Sequence, residues 1–218
     1  MNTELAQRFS AIQAKVRAAG NATLIAVSKT QPTDAIEELY RLGQRDFGEN
    51  YVQELLEKAE ELERRGCSGI VWHFIGHLQT NKVKALLTRA SVIHTVDSIR
   101  LATEISKRWA ALGRKSPLPI FLEVNIDQEP TKHGLRPDEV QGVAEQVRAL
   151  PGLELQGLMC IPEPGAAAQG NPFARLRSLG ERTLGRARYS MGMTSDFEDA
   201  IANGSTHVRV GTAIFGKR

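Results

Sequence analysis

The sequence contains little cysteine and no long hydrophobic run. Cysteine occurs only at Cys67 and Cys160, which gives no CxxC pair and argues against a disulfide framework or a zinc knuckle. No apolar segment approaches the roughly 20 residues that cross a bilayer, and the first residues lack the apolar core of a signal peptide. These absences predict a cytoplasmic protein without a membrane partner.

The sequence also has no large excess of charge of one sign. Its 28 Lys and Arg residues nearly balance 25 Asp and Glu residues, which leaves a formal net charge of +3. The basic residues are spread along the chain and form no tail, so no nucleic-acid partner is indicated. With 218 residues, of which 41% are hydrophobic, the chain is long enough to bury one sizeable core.

What the sequence does contain is an alternation of short apolar runs with longer amphipathic segments. Residues 2–19 carry Leu5, Phe9, Ile12 and Val16 at helical spacing, which predicts an N-terminal helix. Eight short runs follow and are predicted to be strands: 24–28, 45–49, 71–76, 92–97, 120–126, 153–160, 187–192 and 206–211. A helical pattern follows each strand, except that the last helix is short or replaced by the N-terminal one.

This alternation predicts the fold class. Apolar strands that alternate with helices form a parallel sheet covered on both faces. Eight repeats in about 200 residues fit a closed barrel at the lower end of its size range, whereas the competing open doubly wound sheet uses fewer strands. We predict an α/β fold, a single (β/α)8 TIM barrel with an extra N-terminal helix. One domain would cover residues 1–218, with the barrel at about 23–216 and a loop at 162–172.

The residues at the strand ends are the candidates for function, because the loops there form one face of a barrel. The first strand ends at Lys29, and the last two strands run into turns that contain Ser190, Gly192, Gly211 and Thr212. Glycine lets a ligand approach the backbone closely, and backbone N–H groups bind anions. Because loops seven and eight are the recurrent phosphate site of this fold, we predict a phosphate site there rather than merely two tight turns.

A lysine and a phosphate site at one barrel face suggest a particular cofactor. In a dry, apolar mouth an amine loses its proton more readily and forms a Schiff base with a carbonyl. Pyridoxal 5′-phosphate (PLP) carries an aldehyde and a phosphate on one ring. Arg209 would donate to the ring nitrogen and keep it unprotonated, which makes the ring a weak electron sink. The alternatives are a strand-end Lys29 that reaches solvent and an Arg209 buried in a salt bridge to Asp196 or Glu123.

Longer motifs resemble the pyridoxal phosphate homeostasis protein family: "AVSKTQP", "FGENYVQE", "WHFIGHLQTNK", "EVNIDQEPTKHG", "GLMCIPE" and "YSMGMTSDFEDAIANGSTHVRVGTAIFG". The similarity extends from about Leu24 to Gly216. It implies a barrel like the N-terminal domain of alanine racemase, with PLP held as a Schiff base on Lys29. It also implies a cytosolic role in the balance of vitamin B6, amino acids and keto acids.

The resemblance also implies roles for individual residues. Asn50 and His77 would lie near the cofactor, and Met191 would lie beside the phosphate. Its other implied contacts match positions predicted above: Ser190, Gly192, Gly211 and Thr212 at the phosphate and Arg209 at the pyridine nitrogen. Lys132 matches a family lysine near the barrel mouth, a weaker indication of a second PLP contact. Of a C-terminal lysine pair found in some members, only Lys217 is present.

The predicted residues favour a carrier over an enzyme. Racemisation needs a base on each face of the substrate, and Lys29 can serve only one. In enzymes similar to alanine racemase the second base is a tyrosine of a separate domain from a partner subunit. Here the tyrosines are at no obvious loop tip: Tyr40, Tyr51 and Tyr189. We therefore predict a monomeric, non-enzymatic PLP carrier or regulator, with PLP-dependent apoenzymes as possible partners.

Two other functions stay open at this stage. One is a slow PLP-dependent enzyme of the amino-acid racemase type, with His77 or a water as the second base. The other is a class I aldolase that uses Lys29 directly on a phosphorylated sugar. A metal pair at His73 and His77 is disfavoured because the two residues lie on a strand end and a loop, without a carboxylate cluster. No metal site is predicted.

Overall fold

Eight parallel strands close into a barrel in sequence order. The computed structural model describes residues 3–163 and 170–216, so Lys217 and most of the predicted 162–172 loop lie outside the described residues. The strands are β1 Thr23–Val27, β2 Asp46–Glu49, β3 Val71–Phe74, β4 Val92–Val96, β5 Leu118–Glu123, β6 Leu153–Met159, β7 Arg188–Ser190 and β8 His207–Val210. Pairing of β8 with β1 closes the barrel. The predicted TIM barrel is confirmed.

Helices cover the outside of the barrel between successive strands. They are α1 Thr3–Ala19, α2 Thr33–Arg41, α3 Val52–Arg64, α4 Val83–Leu86, α5 Ile99–Ala111, α6 Val140–Arg148, α7 Pro172–Leu184, α8 Phe197–Ala202 and α9 Thr212–Phe215, with a 3₁₀ turn at Thr80–Lys82. Within the described ranges, no helix combines the length and the apolar composition needed to cross a bilayer.

The predicted N-terminal helix is α1, and it completes the last repeat of the barrel. Its apolar stripe is buried against α8 and α9. Arg8 Nε donates to the carbonyl oxygen of Ile214 at 2.8 Å, which ties α1 to α9. Because α9 is only one turn long, α1 supplies the apolar cover that a full final helix would otherwise provide.

Several strands end earlier than their apolar runs. β3 ends at Phe74 and β7 at Ser190, whereas the sequence predicted strands to residues 76 and 192. Gly192 has φ +94°, in the left-handed region, and a Cβ there would lie 2.6 Å from the Cβ of Ala200. The chain therefore turns out of the sheet at this glycine, which places the following residues at the C-terminal end of the barrel, hereafter the barrel mouth.

Candidate functional site

A cavity of about 800 Å³ opens at the barrel mouth. Five of the residues predicted from the sequence line it: Lys29, Asn50, Arg209, Gly211 and Thr212. These residues come from the ends of β1, β2 and β8, which are neighbours in the barrel. The cavity, hereafter the mouth cavity, has the size of small-molecule and cofactor sites in proteins.

Lys29 reaches the mouth cavity from the end of β1 and is half-buried. Within the described part of the chain, its ammonium has neither a hydrogen bond nor an ion pair. Lys132 differs, because it pairs with Glu129 and its Nζ lies 3.4 Å from the carbonyl oxygen of Ile161. Of these two candidate lysines, only Lys29 has an amine that is not paired with a carboxylate of the described residues.

A buried ion cluster fixes the turn that carries Lys29. Lys58 of α3 donates to the Ser28 carbonyl oxygen at 2.6 Å, to Glu49 Oε1 at 2.8 Å and to Glu54 Oε1 at 2.6 Å. Ser28 Oγ also donates to Glu49 Oε1 at 2.7 Å. Glu49 is fully buried, and burial raises the pKa of its carboxyl group above the usual value, against the lowering effect of Lys58.

The same cluster holds the other side of the turn. Glu54 accepts a hydrogen bond from the backbone N–H of Thr30. Thr30 has φ +60°, a left-handed conformation that a β-branched residue adopts only when its surroundings impose it. Lys29 is thus held between Ser28 and Thr30, both bonded to the Lys58 cluster. The sequence carries one signal of this, a lysine on the otherwise apolar face of α3 that also includes Leu55 and Leu62.

Arg209 lies inside the barrel and is 4% exposed. Its Nη1 donates to Ser190 Oγ at 2.8 Å, and its Nη2 donates to the Cys160 carbonyl oxygen at 2.9 Å. Among the described residues it forms no salt bridge with Asp196 or Glu123. The guanidinium group therefore keeps N–H groups for a ligand in the mouth cavity, since arginine has five of them.

Ser190 connects Arg209 to histidines in the barrel interior. Ser190 Oγ lies 2.8 Å from His94 Nδ1, His94 Nε2 lies 2.9 Å from His73 Nδ1, and His73 Nε2 lies 3.0 Å from Asp46 Oδ1. Arginine can only donate, so the Ser190 hydroxyl accepts from it and donates to His94. Each histidine then donates to the next group, and the chain of donors ends at Asp46.

This direction requires a neutral His94, and the electrostatics of that residue agree. His94 is fully buried, and burial lowers its pKa well below the usual value, with further lowering by His73. Burial likewise lowers the pKa of the neighbouring His207 to about 3. His94 thus orients Arg209 through Ser190 without adding positive charge beside it. His94 could not be identified as a site residue from the sequence, because a lone histidine in an apolar strand does not reveal which face it occupies.

The sequence predicted that Ser190, Met191 and Gly192 form part of a phosphate site. In the structure they do not line the mouth cavity. Ser190 and Met191 are fully buried, and the hydroxyl of Ser190 is already bonded to Arg209 and His94. The carbonyl of Gly192 accepts the Arg209 backbone N–H at 2.9 Å. The residues of this loop that do line the cavity are Met193, Thr194 and Ser195.

Several polar groups at or beside the mouth cavity have no hydrogen-bond partner among the described residues. The backbone N–H groups of Gly192, Gly211 and Thr212 have no acceptor within the described ranges. Asn50 Oδ1 is buried and also without a hydrogen-bond partner there. The N–H groups of Gly211 and Thr212 lie at the mouth cavity and can bind an anion, whereas the Asn50 oxygen can accept a hydrogen bond from a ligand. A Cβ at Gly211 would lie 3.2 Å from the Val27 carbonyl oxygen, so a side chain there would contact the backbone of β1 closely.

His77 lies apart from the other predicted residues. It lines a shallower cavity of about 410 Å³ together with Asp97, and its Nδ1 lies 3.7 Å from Asp97 Oδ2. His73, the other half of the metal pair considered above, is buried in the barrel interior. The structure therefore separates His77 both from Lys29 and from His73.

The carboxyl group of Glu123 makes a pH-dependent contribution to stability. Burial, with a smaller contribution from the nearby Asp97 charge, raises its pKa from 4.5 to about 7. The folded state therefore binds the proton of this carboxyl group more tightly than the unfolded state does. As a result, the free energy of unfolding falls as the pH rises from 4.5 to about 7. We expect Glu123→Gln to be more stable than the wild type at pH 8 by about 3 kcal/mol in the PLP-free protein.

Urea unfolding at pH 8 and pH 4 measures this effect. The difference between the two proteins should nearly vanish at pH 4, where both carry a neutral side chain. Glu154→Gln, at an exposed position of β6, is the matched control and should leave the pH profile as it is in the wild type. Equal free energies of unfolding for Glu123→Gln and wild type at pH 8 would contradict the raised pKa of this carboxyl group.

The barrel and its mouth define a protein of the alanine racemase N-terminal domain class. The model of the family "Alanine racemase, N-terminal domain" matches residues 3–218. An alanine racemase of Clostridium difficile 630 has the same fold, with a TM-score of 0.76 at 13% identity over all of this chain and 60% of that one. At that identity the likeness concerns the fold alone.

Proteins of higher sequence identity show which family within this class the chain belongs to. The pyridoxal phosphate homeostasis protein of Pseudomonas aeruginosa is 42% identical over 98% of this chain and 96% of its own length. The human protein of that name is 44% identical over 89% of this chain and 76% of its own. PipY of Synechococcus elongatus, solved with PLP bound, superposes with a TM-score of 0.86 at 34% identity, over 97% of this chain and all of that one. This chain belongs to the pyridoxal phosphate homeostasis protein family, as its motifs predicted.

Proposed function

We propose that this protein holds PLP reversibly as a Schiff base on Lys29 and takes part in intracellular vitamin B6 homeostasis and in the balance of amino acids and keto acids. The observation that carries the proposal is an unpaired lysine in one cavity with Arg209 and unsatisfied backbone N–H groups. The relatives support it, because they are named for PLP homeostasis and PipY binds PLP. We infer that residues 3–216 act as a single PLP-binding domain.

Each part of the mouth cavity has its own role in this proposal. PLP supplies an electrophilic aldehyde when it is bound. The amine of Lys29 is held toward the cavity by the turn that the Lys58 cluster fixes. The N–H groups of Gly211 and Thr212, with the Thr212 hydroxyl, bind the phosphate, and the Asn50 side chain contacts the ring. A contact of Gly192 with the phosphate stays a prediction.

Arg209 would bind the ring nitrogen with its remaining N–H groups. Its permanent charge keeps that nitrogen unprotonated and so limits electron withdrawal by the ring. Ser190 contributes by holding the guanidinium group, since its hydroxyl is bonded to Arg209 and His94. A direct contact of Ser190 or Met191 with the phosphate stays a prediction, as does a contact of Lys132 or His77 with PLP.

We further propose that the protein is a carrier or regulator and not an efficient enzyme. None of the tyrosines lines the mouth cavity. Tyr189 is buried and donates to the Arg177 carbonyl oxygen at 3.1 Å, while Tyr51 is 59% exposed. His77 lines a different cavity from Lys29, which argues against its use as the second base of a slow racemase and leaves a water as the other candidate. The relatives are named as homeostasis proteins rather than as enzymes, and a monomeric state stays a prediction.

Reduction with borohydride tests the binding mode directly. Adding PLP to the purified protein should give the yellow absorption of a Schiff base, and borohydride should bleach it while fixing PLP to the chain. Peptide mapping of the reduced protein should place the added mass on the peptide that contains Lys29. Mapping to another lysine, or a colourless protein after PLP addition, would overturn the proposal.

A second assay separates a carrier from an enzyme. The PLP-loaded protein is incubated with a panel of L- and D-amino acids, and racemisation and deamination products are measured. We expect no turnover near ~1 s⁻¹, the lower end of ordinary enzymatic rates. Turnover at that rate would contradict the carrier proposal. If Lys29→Ala lost both the turnover and the reducible adduct, the protein would be an enzyme that uses the same site.

A further inference from the structure

Three side chains with metal-binding atoms meet at the barrel mouth outside the mouth cavity. They are His77 after β3, Asp97 after β4 and His133 in the loop after β5, and one ligand atom of each lies within 4.8 Å of the other two. The His77 and His133 rings stack, with centroids 3.8 Å apart and an interplanar angle of 15°. Neither imidazole makes a hydrogen bond to another residue of the described ranges; the nearest polar approach is the 3.7 Å distance from His77 to Asp97.

The local structure holds Asp97 and the backbone that carries the two histidines. Ser98 Oγ donates to Asp97 Oδ1 at 3.1 Å, which leaves Oδ2 directed toward His77. The segment with His133 is pinned, because Asn125 N and Leu135 N bond across it at 2.9 and 2.8 Å to the carbonyl oxygens of Leu135 and Glu123. Asn125 Nδ2 also donates to the Glu129 carbonyl oxygen at 2.8 Å.

The position of His77 is set by close packing of its neighbour. A Cβ at Gly76 would lie 2.0 Å from the Asn50 carbonyl oxygen, so the backbone before His77 fits tightly against the loop after β2. The Gly76 carbonyl oxygen accepts from Thr95 Oγ1 at 2.6 Å, which joins this loop to β4. Backbone anchors of this kind restrict a site to small side-chain movements.

Two imidazoles and one carboxylate form a donor set that suits zinc and similar dications. Such ions take three protein ligands and leave a further position for water in open sites. Bonds of about 2.1 Å place tetrahedral ligand atoms about 3.4 Å apart, so separations of up to 4.8 Å have to close by up to about 1.4 Å. The stacked rings must also rotate, since two parallel rings cannot point their lone pairs at one ion. Both imidazoles are exposed, and rotation displaces no core side chain.

We propose that His77, Asp97 and His133 bind one zinc-type transition-metal dication at the barrel mouth. The remaining coordination positions face solvent and accept water or a small anion. The site is separate from the mouth cavity and does not depend on PLP binding by Lys29. It differs from the His73–His77 pair that the sequence analysis set aside, because both partners of His77 come from the next two loops of the barrel.

Calorimetric titration of the full chain with ZnCl₂, without PLP, tests the proposal. We expect one ion per chain, and at least about a tenfold loss of affinity in His77→Ala and in His133→Ala. Cobalt(II) is a second probe, because its visible absorption reports the coordination geometry and should disappear in the same variants. Zinc binding should weaken on acidification, since protons compete for the imidazole nitrogens.

Two control variants make the outcome decisive. Asp138→Asn changes an exposed carboxylate elsewhere on the surface and should leave zinc affinity unchanged. Lys29→Ala should also leave it unchanged, which separates failure of this proposal from failure of PLP binding. The proposal is overturned if the double variant His77→Ala/His133→Ala binds zinc as tightly as the wild type, or if the wild type binds none. Because His77, His133 and Asp138 are exposed and Lys29 is only half-buried, thermal unfolding should show intact folding in every variant.

Discussion

Replacing Lys29 with alanine is expected to abolish the borohydride-fixed PLP adduct almost completely. In the described structure Lys29 is the lysine that lines the mouth cavity, and a Schiff base requires an amine at that point. Its side chain is half-buried and has no hydrogen bond within the described ranges. We therefore expect the free energy of unfolding to change by no more than about 0.5 kcal/mol. Mass spectrometry of the reduced protein measures the adduct, and urea unfolding measures stability.

Lys132→Ala is the matched control for Lys29→Ala. Lys132 also lies near the barrel mouth, but its ammonium pairs with Glu129 and it is not part of the mouth cavity wall. The control should keep the adduct on Lys29 at the wild-type level. If Lys29→Ala retained a stoichiometric adduct, or if Lys132→Ala lost it, the assignment of the PLP-binding lysine would be wrong.

Replacing Lys58 with methionine is expected to destabilise the protein by about 3–5 kcal/mol. Methionine fills much of the same volume but leaves the buried Glu49 carboxylate without its counter-charge, and an uncompensated buried charge carries a penalty of this size. Lys58 is 6% exposed and Glu49 is fully buried. Urea unfolding at pH 7 without PLP measures the loss. The Ser28 carbonyl oxygen also loses a donor, so the turn that carries Lys29 should loosen.

A double variant distinguishes the charge effect from a packing effect. Lys58→Met/Glu49→Gln removes both charges and should recover a large part of the lost stability. Arg136→Met, which breaks the exposed pair with Asp138, is the surface control and should cost less than about 1 kcal/mol. A loss below 1 kcal/mol in Lys58→Met, or no recovery in the double variant, would show that the buried ion cluster does not stabilise the turn.

The architecture could be predicted from the sequence because its signals are local. Each apolar run followed by a helical pattern specifies one repeat, and eight repeats leave few alternatives to a closed barrel. The errors are at the strand ends. The runs at 71–76 and 187–192 continue past Phe74 and Ser190, because the loop residues that pack at the barrel mouth are as apolar as the strands.

The orientation of individual side chains could not be predicted in the same way. Strands buried on both faces lack the alternation that tells an inward residue from an outward one. Ser190 illustrates this, because it lies in the seventh strand as expected but turns its hydroxyl to Arg209 and His94 inside the barrel. His77 follows β3 as expected but lines a different cavity from Lys29.

The sequence by itself determined the eight repeats, the lysine after β1 and the arginine in β8, since neighbours along the chain specify all of these. Only the tertiary structure decided what surrounds them. Closure of the barrel places Ser190 against His94, 96 residues away, and packing of α3 places Lys58 under Ser28, 30 residues away. Such pairs leave no periodic trace in the sequence, because hydrogen bonds and ion pairs form wherever folding brings a donor to an acceptor, whatever their separation along the chain.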